Sequence, residues 1–322
     1  MDKSSNLRSS ALLSLVIPAY NEVETLPLLR ERLDCVLSQL SVRSEVILID
    51  DGSRDKSAEL MREFAGTGDR YKALILSRNF GHQIALTAGL EHALGDVVVV
   101  LDADLQDPPE LIQDMLDKWH EGYDVVYGER RSRQGESFAK RYTAELFYRI
   151  TARLSGLDIP KNTGDFRLMD RKVLEALKQM PERFRFVRGM VTWTGFRQTS
   201  IVFDRPPRAA GSTKYTWTKM FAFALDAILS FSVVPLRVVT FIGLAVTLLA
   251  AEEIFRVLYL RFVLEATVPG FSALFVALLG LGGLNLVFMG ILGEYIGRIY
   301  VEVKRRPLYL IQEFVSNASM QP

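Results

Sequence analysis

Val97-Val98-Val99-Val100-Leu101-Asp102-Ala103-Asp104-Leu105-Gln106-Asp107-Pro108-Pro109-Glu110 is the stretch from which the fold can be read. Five aliphatic residues in a row, ended by polar turn formers, have the pattern of a short strand covered on both faces. Two acids two residues apart follow at once, and Pro108-Pro109-Glu110 has the marks of a helix start. Strand, turn and helix in that order imply an open α/β sheet. In such sheets ligands bind at the C-terminal ends of the strands, where Asp102 and Asp104 emerge.

The same alternation runs outward from Leu15 to Tyr127. Strands are expected at Leu15–Ala19, Glu45–Asp50, Ala73–Leu76, Asp96–Leu101 and Val125–Gly128, with helices near Glu24–Leu37, Ser57–Ala65, Gln83–His92 and Pro108–Lys118 between them. The fold class is therefore α/β with a mainly parallel sheet. Beyond Gly128, Arg130–Glu136 reads as a polar loop beside the sheet edge. A helix at Phe138–Leu154, a turn at Gly164–Arg167 and a strand at Gln198–Phe203 complete the domain.

Acids and bases nearly cancel, 38 against 39, so the chain lacks the strongly cationic character of a general nucleic-acid binder. Cys35 is the only cysteine, which excludes an intrachain disulfide and suits a reducing compartment; its place in an apolar helical pattern reads as core packing. His82, His92 and His120 have no zinc-ligand spacing and read as structural or surface residues. Met1 to Ala11 is polar and Ser-rich without an apolar core, so no cleavable signal is expected and the catalytic part should stay in the cytoplasm.

The last third changes character. No charge occurs between Glu265 and Glu294, an interval longer than the roughly 20 residues of a membrane-crossing helix. An earlier run, Val238 to Ala251, precedes Glu252, Glu253 and Arg256; these charges would be tolerated if paired at helical spacing. Arg237 before the first run and Arg298, Lys304, Arg305 and Arg306 after the second place both termini in the cytoplasm. Thr216 to Ser232 reads as an interfacial helix, with packing against the soluble domain as the alternative. The expected organisation is a catalytic domain over 1–215, an interfacial helix over 216–235, two membrane helices over 236–297 and a cytoplasmic tail over 298–322.

Three more strands end in polar clusters on the side where Asp102 and Asp104 emerge. These are Pro18-Ala19-Tyr20-Asn21-Glu22, Asp50-Asp51-Gly52-Ser53 and Ser77-Arg78-Asn79-Phe80-Gly81. Any one of them alone can be turn chemistry, and the Asp-x-Asp acids alone can be helix caps. Converging, they suit a nucleotide pocket: carboxylates accept from hydroxyl or base N–H groups, and Tyr20 can pack on a base. Asp102 and Asp104 can share one hard cation with a diphosphate, and the Gln106 carboxyamide can complete the shell.

These four segments, with the paired apolar helices and the ending Leu292-Gly293-Glu294-Tyr295-Ile296-Gly297-Arg298, resemble the family 2, GT-A fold glycosyltransferases. The likeness is to the polyprenyl-phosphate branch, which includes dolichol-phosphate mannose synthases and bactoprenol glucosyltransferases. The resemblance implies that Pro18, Tyr20, Glu22, Ile49 and Asp51 line a nucleoside pocket and that Asp102 and Ala103 contact ribose and diphosphate. It also implies that Asp104 and Gln106 hold Mg2+ or Mn2+, and that Arg130, Arg208 and Lys214 meet phosphates. Implied partners are a nucleotide-sugar, UDP-glucose first and GDP-mannose or an amino-arabinose donor behind it, and undecaprenyl phosphate in a bacterial inner membrane. A processive polysaccharide synthase and an inactive nucleotide-binding scaffold are the rival readings. Glycines at 280, 282, 283, 290, 293 and 297 hint at a homo-oligomer.

Overall fold

The computed structural model describes residues 11–131, 163–204, 234–264 and 270–317. The chain divides into two compact units, one carrying the sheet and including the segment from Arg306 onward, the other carrying two long helices.

The first unit is built on eight strands: β1 (Leu12–Ala19), β2 (Arg43–Asp50), β3 (Tyr71–Leu76), β4 (Val97–Val100), β5 (Val125–Arg130), β6 (Thr163–Asp170), β7 (Gln198–Phe203) and β8 (Ile311–Val315). Their order across the sheet is β7-β5-β6-β4-β1-β2-β3-β8. Strands β4, β1, β2 and β3 run parallel, while β6 and β8 are antiparallel to their neighbours. The expected parallel core is therefore present, inside a mixed sheet. Helices α1 (Leu26–Gln39), α2 (Ser57–Gly66) and α3 (His82–His92) link the parallel strands. A 3-10 turn (Pro109–Leu111) and α4 (Ile112–His120) follow β4, and α5 (Arg171–Lys178) and α6 (Val187–Trp193) follow β6.

All four residues of β4 are buried, as their unbroken aliphatic pattern requires. Helix α1 buries Leu26, Leu29, Leu33 and Leu37, a stripe at helical spacing. Cys35 lies two residues past Leu33, off that stripe, and is exposed; its expected place in the core is corrected by this geometry. Residues 164–167, expected as a turn, belong to β6. Gly164 and Asp165 mimic a turn locally, but the alternate residues Phe166 and Leu168 enter the core. The helix expected at Phe138–Leu154 and the interfacial helix at 216–232 lie outside the described residues.

The sheet reverses direction of growth at β1: β2 and β3 lie on one side of it and β4 on the other. That switch point is where a crevice opens in such sheets. Leu101 N–H donates to Val16 O at 3.1 Å, so in β1 the peptide groups of Val16, and two residues on those of Pro18, face β4. Pro18 has no N–H to give, and the β1–β4 ladder ends at the Val16–Val100 pair. Its ring thus falls where the two strands part.

The second unit holds α7 (Val234–Phe262) and α8 (Phe271–Val303). Within α7, Leu236–Leu260 is long and apolar enough to cross a membrane by length and composition. Its charged interruption is paired as the spacing suggested, with Arg256 Nε donating to Glu253 Oε2 at 2.7 Å. Residues 311–315, within the segment read as a tail, form β8 on the β3 edge, held by Arg62 on Glu313 and by the Tyr309 hydroxyl on Glu91.

Gly52 sets the distance between the loops after β2 and β3. Its φ is +66°, and a Cβ there would run into the backbone of Arg78 and Asn79. Gly52→Ala is expected to cost roughly 2 kcal/mol or more, read as a lower melting temperature of the purified chain.

Candidate active site

Loops after β1, β2 and β3 are tied to one another by backbone N–H groups donating to side-chain oxygens. Asn21 N–H donates to Ser53 Oγ at 2.9 Å, and Asn21 Oδ1 accepts from Arg54 N–H at 2.8 Å. Glu22 N–H donates to Ser57 Oγ, and the Glu22 carboxylate accepts from Thr25. Asp51 accepts from Phe80 N–H at 2.7 Å and Gly81 N–H at 3.0 Å. Burial raises the Asp51 pKa, and these two hydrogen bonds oppose the rise. Asp51, expected to line a nucleoside pocket, is thus also a brace between two loops. Pro18 and Ile49 are register neighbours at the ends of β1 and β2, both buried, while Tyr20 and Glu22 are half-buried at the rim.

The loop after β4 bends sharply at Leu105, whose φ of +60° is unusual for a residue with a branched side chain. The bend lets Asp104 Oδ1 accept from the backbone N–H of Gln106 at 3.1 Å. Asp107 is fully covered. Its Oδ2 accepts from Asp102 N–H, and its Oδ1 lies 3.6 Å from Arg130 Nη2. Burial, then the charge of Asp102, pushes Asp107 up to about 7, with Arg130 opposing. Neither helix start after this loop carries a side-chain cap, so the capping reading of the acids is not met; Glu110 instead pairs with Arg32 at 2.6 and 2.7 Å.

Arg130 ends β5 and reaches this floor because Gly164, on the neighbouring strand, has no side chain. A Cβ at Gly164 would stand 2.5 Å from Arg130 Nη2. Pro18, Tyr20, Glu22, Ile49, Asp51, Asp102, Ala103, Asp104, Gln106 and Arg130 all lie at or beside the C-terminal ends of β1, β2, β4 and β5. Arg208 and Lys214 lie outside the described residues.

A second set of residues, not singled out from the sequence, completes the floor. Asp165 on β6 is buried and accepts from Arg188 Nε at 2.8 Å and Nη2 at 3.3 Å, from Gln83 Nε2 at 3.0 Å, and pairs with His82 Nε2 at 3.1 Å. Burial would raise the Asp165 pKa, but Arg188 and His82 hold it well below the usual carboxylate range. Beneath it Arg167 donates to the carbonyls of Gly164 and Asp165, and burial pushes this guanidinium down to about 10. His82, read from the sequence as a structural or surface residue, is partly exposed and stands between Asp165 and Asp102 in this cleft. The signal available was its place five residues after Ser77, at the end of a strand that points into the cleft.

Asp102, Asp104, Asp107 and Asp165 crowd one cleft, and Asp102 is raised by burial first, with Asp165 and Asp104 adding to the rise and His82 opposing it. Its Oδ1 is covered and has no hydrogen-bond partner. Among the described residues no three His, Cys, Asp or Glu side chains form a self-contained metal cage. The orphaned oxygen of Asp102, with the acid of Asp104 and the carboxyamide of Gln106 on the same loop, is the kind of oxygen-donor set that fits a hard cation whose shell is completed by a ligand's phosphates.

Removing the Asp165 carboxylate would leave Arg188 without the anion it grips and His82 with Asp102 alone. Asp165→Ala should lower stability by about 3 kcal/mol or more, as breaking one side of a buried pair does. Asp165→Asn, which keeps an acceptor, should lose less; thermal unfolding of both variants checks the order.

The model for glycosyl transferase family 2 matches residues 14–178. An uncharacterized glycosyltransferase of Synechocystis sp. is 50% identical over 301 residues, 94% of this chain and 95% of that one. A prophage bactoprenol glucosyl transferase homolog of Escherichia coli is 39% identical over 300 residues, 93% of this chain and 98% of that one. Glucosyl-3-phosphoglycerate synthase of Mycobacterium tuberculosis, solved with Mn2+, UDP and glucosyl-3-phosphoglycerate, superposes with a TM-score of 0.50 at 17% identity, covering 70% of this chain and 80% of that chain. That last likeness is one of fold, a GT-A-like mixed sheet. Matched over half its length by the family model and almost end to end by these relatives, the chain belongs to glycosyl transferase family 2 and is a glycosyltransferase.

Proposed function

We propose that this enzyme transfers glucose from UDP-glucose to the phosphate of undecaprenyl phosphate, with inversion at the anomeric carbon. The reaction takes place at the cytoplasmic face of a bacterial inner membrane and supplies a lipid-linked sugar for cell-envelope glycans. The observation that carries this reading is the near full-length match, long apolar helices included, to a protein named for glucosyl transfer to bactoprenol. The catalytic domain is assigned to 1–215, an interfacial helix to 216–235, two membrane crossings to 236–297 and a cytoplasmic segment to 298–322. Helix α7 is the first crossing, and α8, uncharged from Phe271 to Gly293, is the second.

The chemistry asks little of a general base. A polyprenyl monophosphate has its second pKa near ~6, so at neutral pH it is mostly a dianion and already a nucleophile. Its oxygen attacks the anomeric carbon as the bond to the nucleoside diphosphate breaks, so an α-linked donor gives a β-linked product. The demanding tasks are bringing two anions together and stabilising the leaving diphosphate.

Pro18, Tyr20, Glu22, Ile49 and Asp51 hold the nucleoside, while Asp102 and Ala103 meet ribose and diphosphate. Asp104 and Gln106 would hold Mg2+ or Mn2+, which when bound supplies Lewis-acid neutralisation of the diphosphate. Arg130 reaches the same cleft by turning from Asp107, and Arg208 and Lys214 neutralise phosphate at the membrane side.

Two measurements test this reading. Membranes containing the chain, incubated with radiolabelled UDP-glucose, GDP-mannose and an amino-arabinose donor, should yield a lipid-extractable product from UDP-glucose. Product from another donor alone would reassign the sugar, and no lipid product from any would overturn the acceptor. Asp104→Ala should lose at least ~100-fold in transfer, since a lost electrostatic anchor of the transition state costs that much, with its unfolding temperature near that of the parent. Normal metal-dependent transfer by that variant would remove Asp104 from the metal site.

A further inference from the structure

The pairing of β5 with β6 breaks once. Tyr127 faces Arg167 and Glu129 faces Thr163, so Gly128 alone spans Gly164, Asp165 and Phe166, a bulge in β6 beside the cleft. Its apolar member is anchored. The Phe166 ring is buried, meets Phe203 edge-on at 5.9 Å between ring centres, and closes over Gly128, where a Cβ would come within 2.7 Å of it. Gly164 and Asp165 fall outside the registers with both neighbouring strands, and a side chain takes up their carbonyls instead. The buried Arg167 donates from Nη2 to Gly164 O at 2.9 Å and from Nε to Asp165 O at 3.3 Å, and Arg188 Nη1 donates to Thr163 O at 2.9 Å.

Arg130 lies on this bulge. A Cβ at Gly164 would meet first its Nη2, Cζ and Nε, at 2.5, 3.2 and 3.7 Å. The covered Nε of Arg130 has no hydrogen-bond partner, and Nη2 is 3.6 Å from Asp107 Oδ1, beyond hydrogen-bond reach. Contact with the Gly164 backbone therefore aims the guanidinium, and Arg167 grips the carbonyl of that same residue. We propose that Arg167 is a positioning residue of the transfer reaction, which acts through the Gly164 peptide to keep Arg130 on the cleft floor. This inference rests on the reading of Arg130 as a residue that neutralises phosphate and goes beyond it, adding a covered side chain one step removed from the reaction.

The test is a double-mutant cycle on kcat/KM for transfer by the purified full chain, with undecaprenyl phosphate and UDP-glucose, or the other donor that gives product. Arg130→Ala should lower transfer about 100-fold, the loss typical of one electrostatic contact to a transition state. Two further variants act upstream of it: Gly164→Ala, whose methyl meets Arg130 first, and Arg167→Lys, which cannot fork between two carbonyls. Each should lose about ten- to hundredfold in the parent background, as a small displacement of a reacting group does. On the Arg130→Ala background each should lose less than about threefold more, because the group through which they act is already gone.

Losses that multiply on the Arg130→Ala background would overturn the proposal, since support of the fold alone costs the same with or without Arg130. Transfer by Arg167→Lys within about twofold of the parent would overturn it too. If Arg167→Lys does not fold, Arg167→Gln, with one carboxyamide to offer the carbonyls, takes its place under the same expectations. If neither folds, the role is structural and the proposal falls. A parent chain that makes no lipid-linked product from any donor fails the proposed reaction, and this inference with it, whereas multiplying losses in an active parent fail this inference alone.

Discussion

Four carboxylates share the floor of one cleft, and the arrangement holds because each has a cation or a peptide N–H set against it. Asp165 is surrounded by Arg188, His82 and Gln83; Asp107 faces Arg130; Asp104 takes the N–H of Gln106. Acids this close repel one another strongly once water is excluded, and removing any single partner leaves a covered charge uncompensated. At Asp102 and Asp107 that partner is a cation 3.6 Å from an Oδ1 that takes no hydrogen bond.

The scaffold brings these groups together by a division of labour between strand directions. The parallel strands β1, β2 and β4 deliver the loops with the Asn-Glu, Asp-Asp and Asp-x-Asp clusters to one edge. The antiparallel strand β6 enters beside β4 from the opposite direction, so its first residues rather than its last reach that edge. Asp165 therefore stands opposite Asp102 although it starts a strand. Gly164, one residue before it, makes room for Arg130, and Gly52 lets two of the loops touch. A Cβ at Gly52 would push two loops apart, and one at Gly164 would displace the Arg130 guanidinium.

The two long helices belong to a different physical regime. Helix α7 satisfies its backbone internally and presents an apolar length sufficient for a bilayer, with Glu253 and Arg256 neutralising each other one turn apart. The chain leaves the sheet unit before these helices and returns to it after them, as β8 pairs with β3 and Tyr309 reaches Glu91. The catalytic unit is therefore composed of segments from both sides of the helical one, and the family model, which ends at residue 178, covers only the first of them.

Features carried by local pattern were legible along the chain. Unbroken aliphatic runs marked β1 through β4, the leucine stripe marked α1, and the acids after Leu101 marked the edge of the sheet where chemistry would occur. Each of these signals lies within a few residues, because burial on both faces of a strand or one face of a helix leaves a short period in the chain. The partners of those acids come from the fold. His82 and Asp165 are 83 residues apart, and Arg188 is a further 23 along, so no period links them. Strand β6 was hidden for the same reason: its Asp165 and Arg167 are polar residues in buried places, made tolerable by distant partners and by carbonyls reached only once the strand is folded. A charge that is stable in the interior because of where the chain returns to cannot announce itself in the sequence around it.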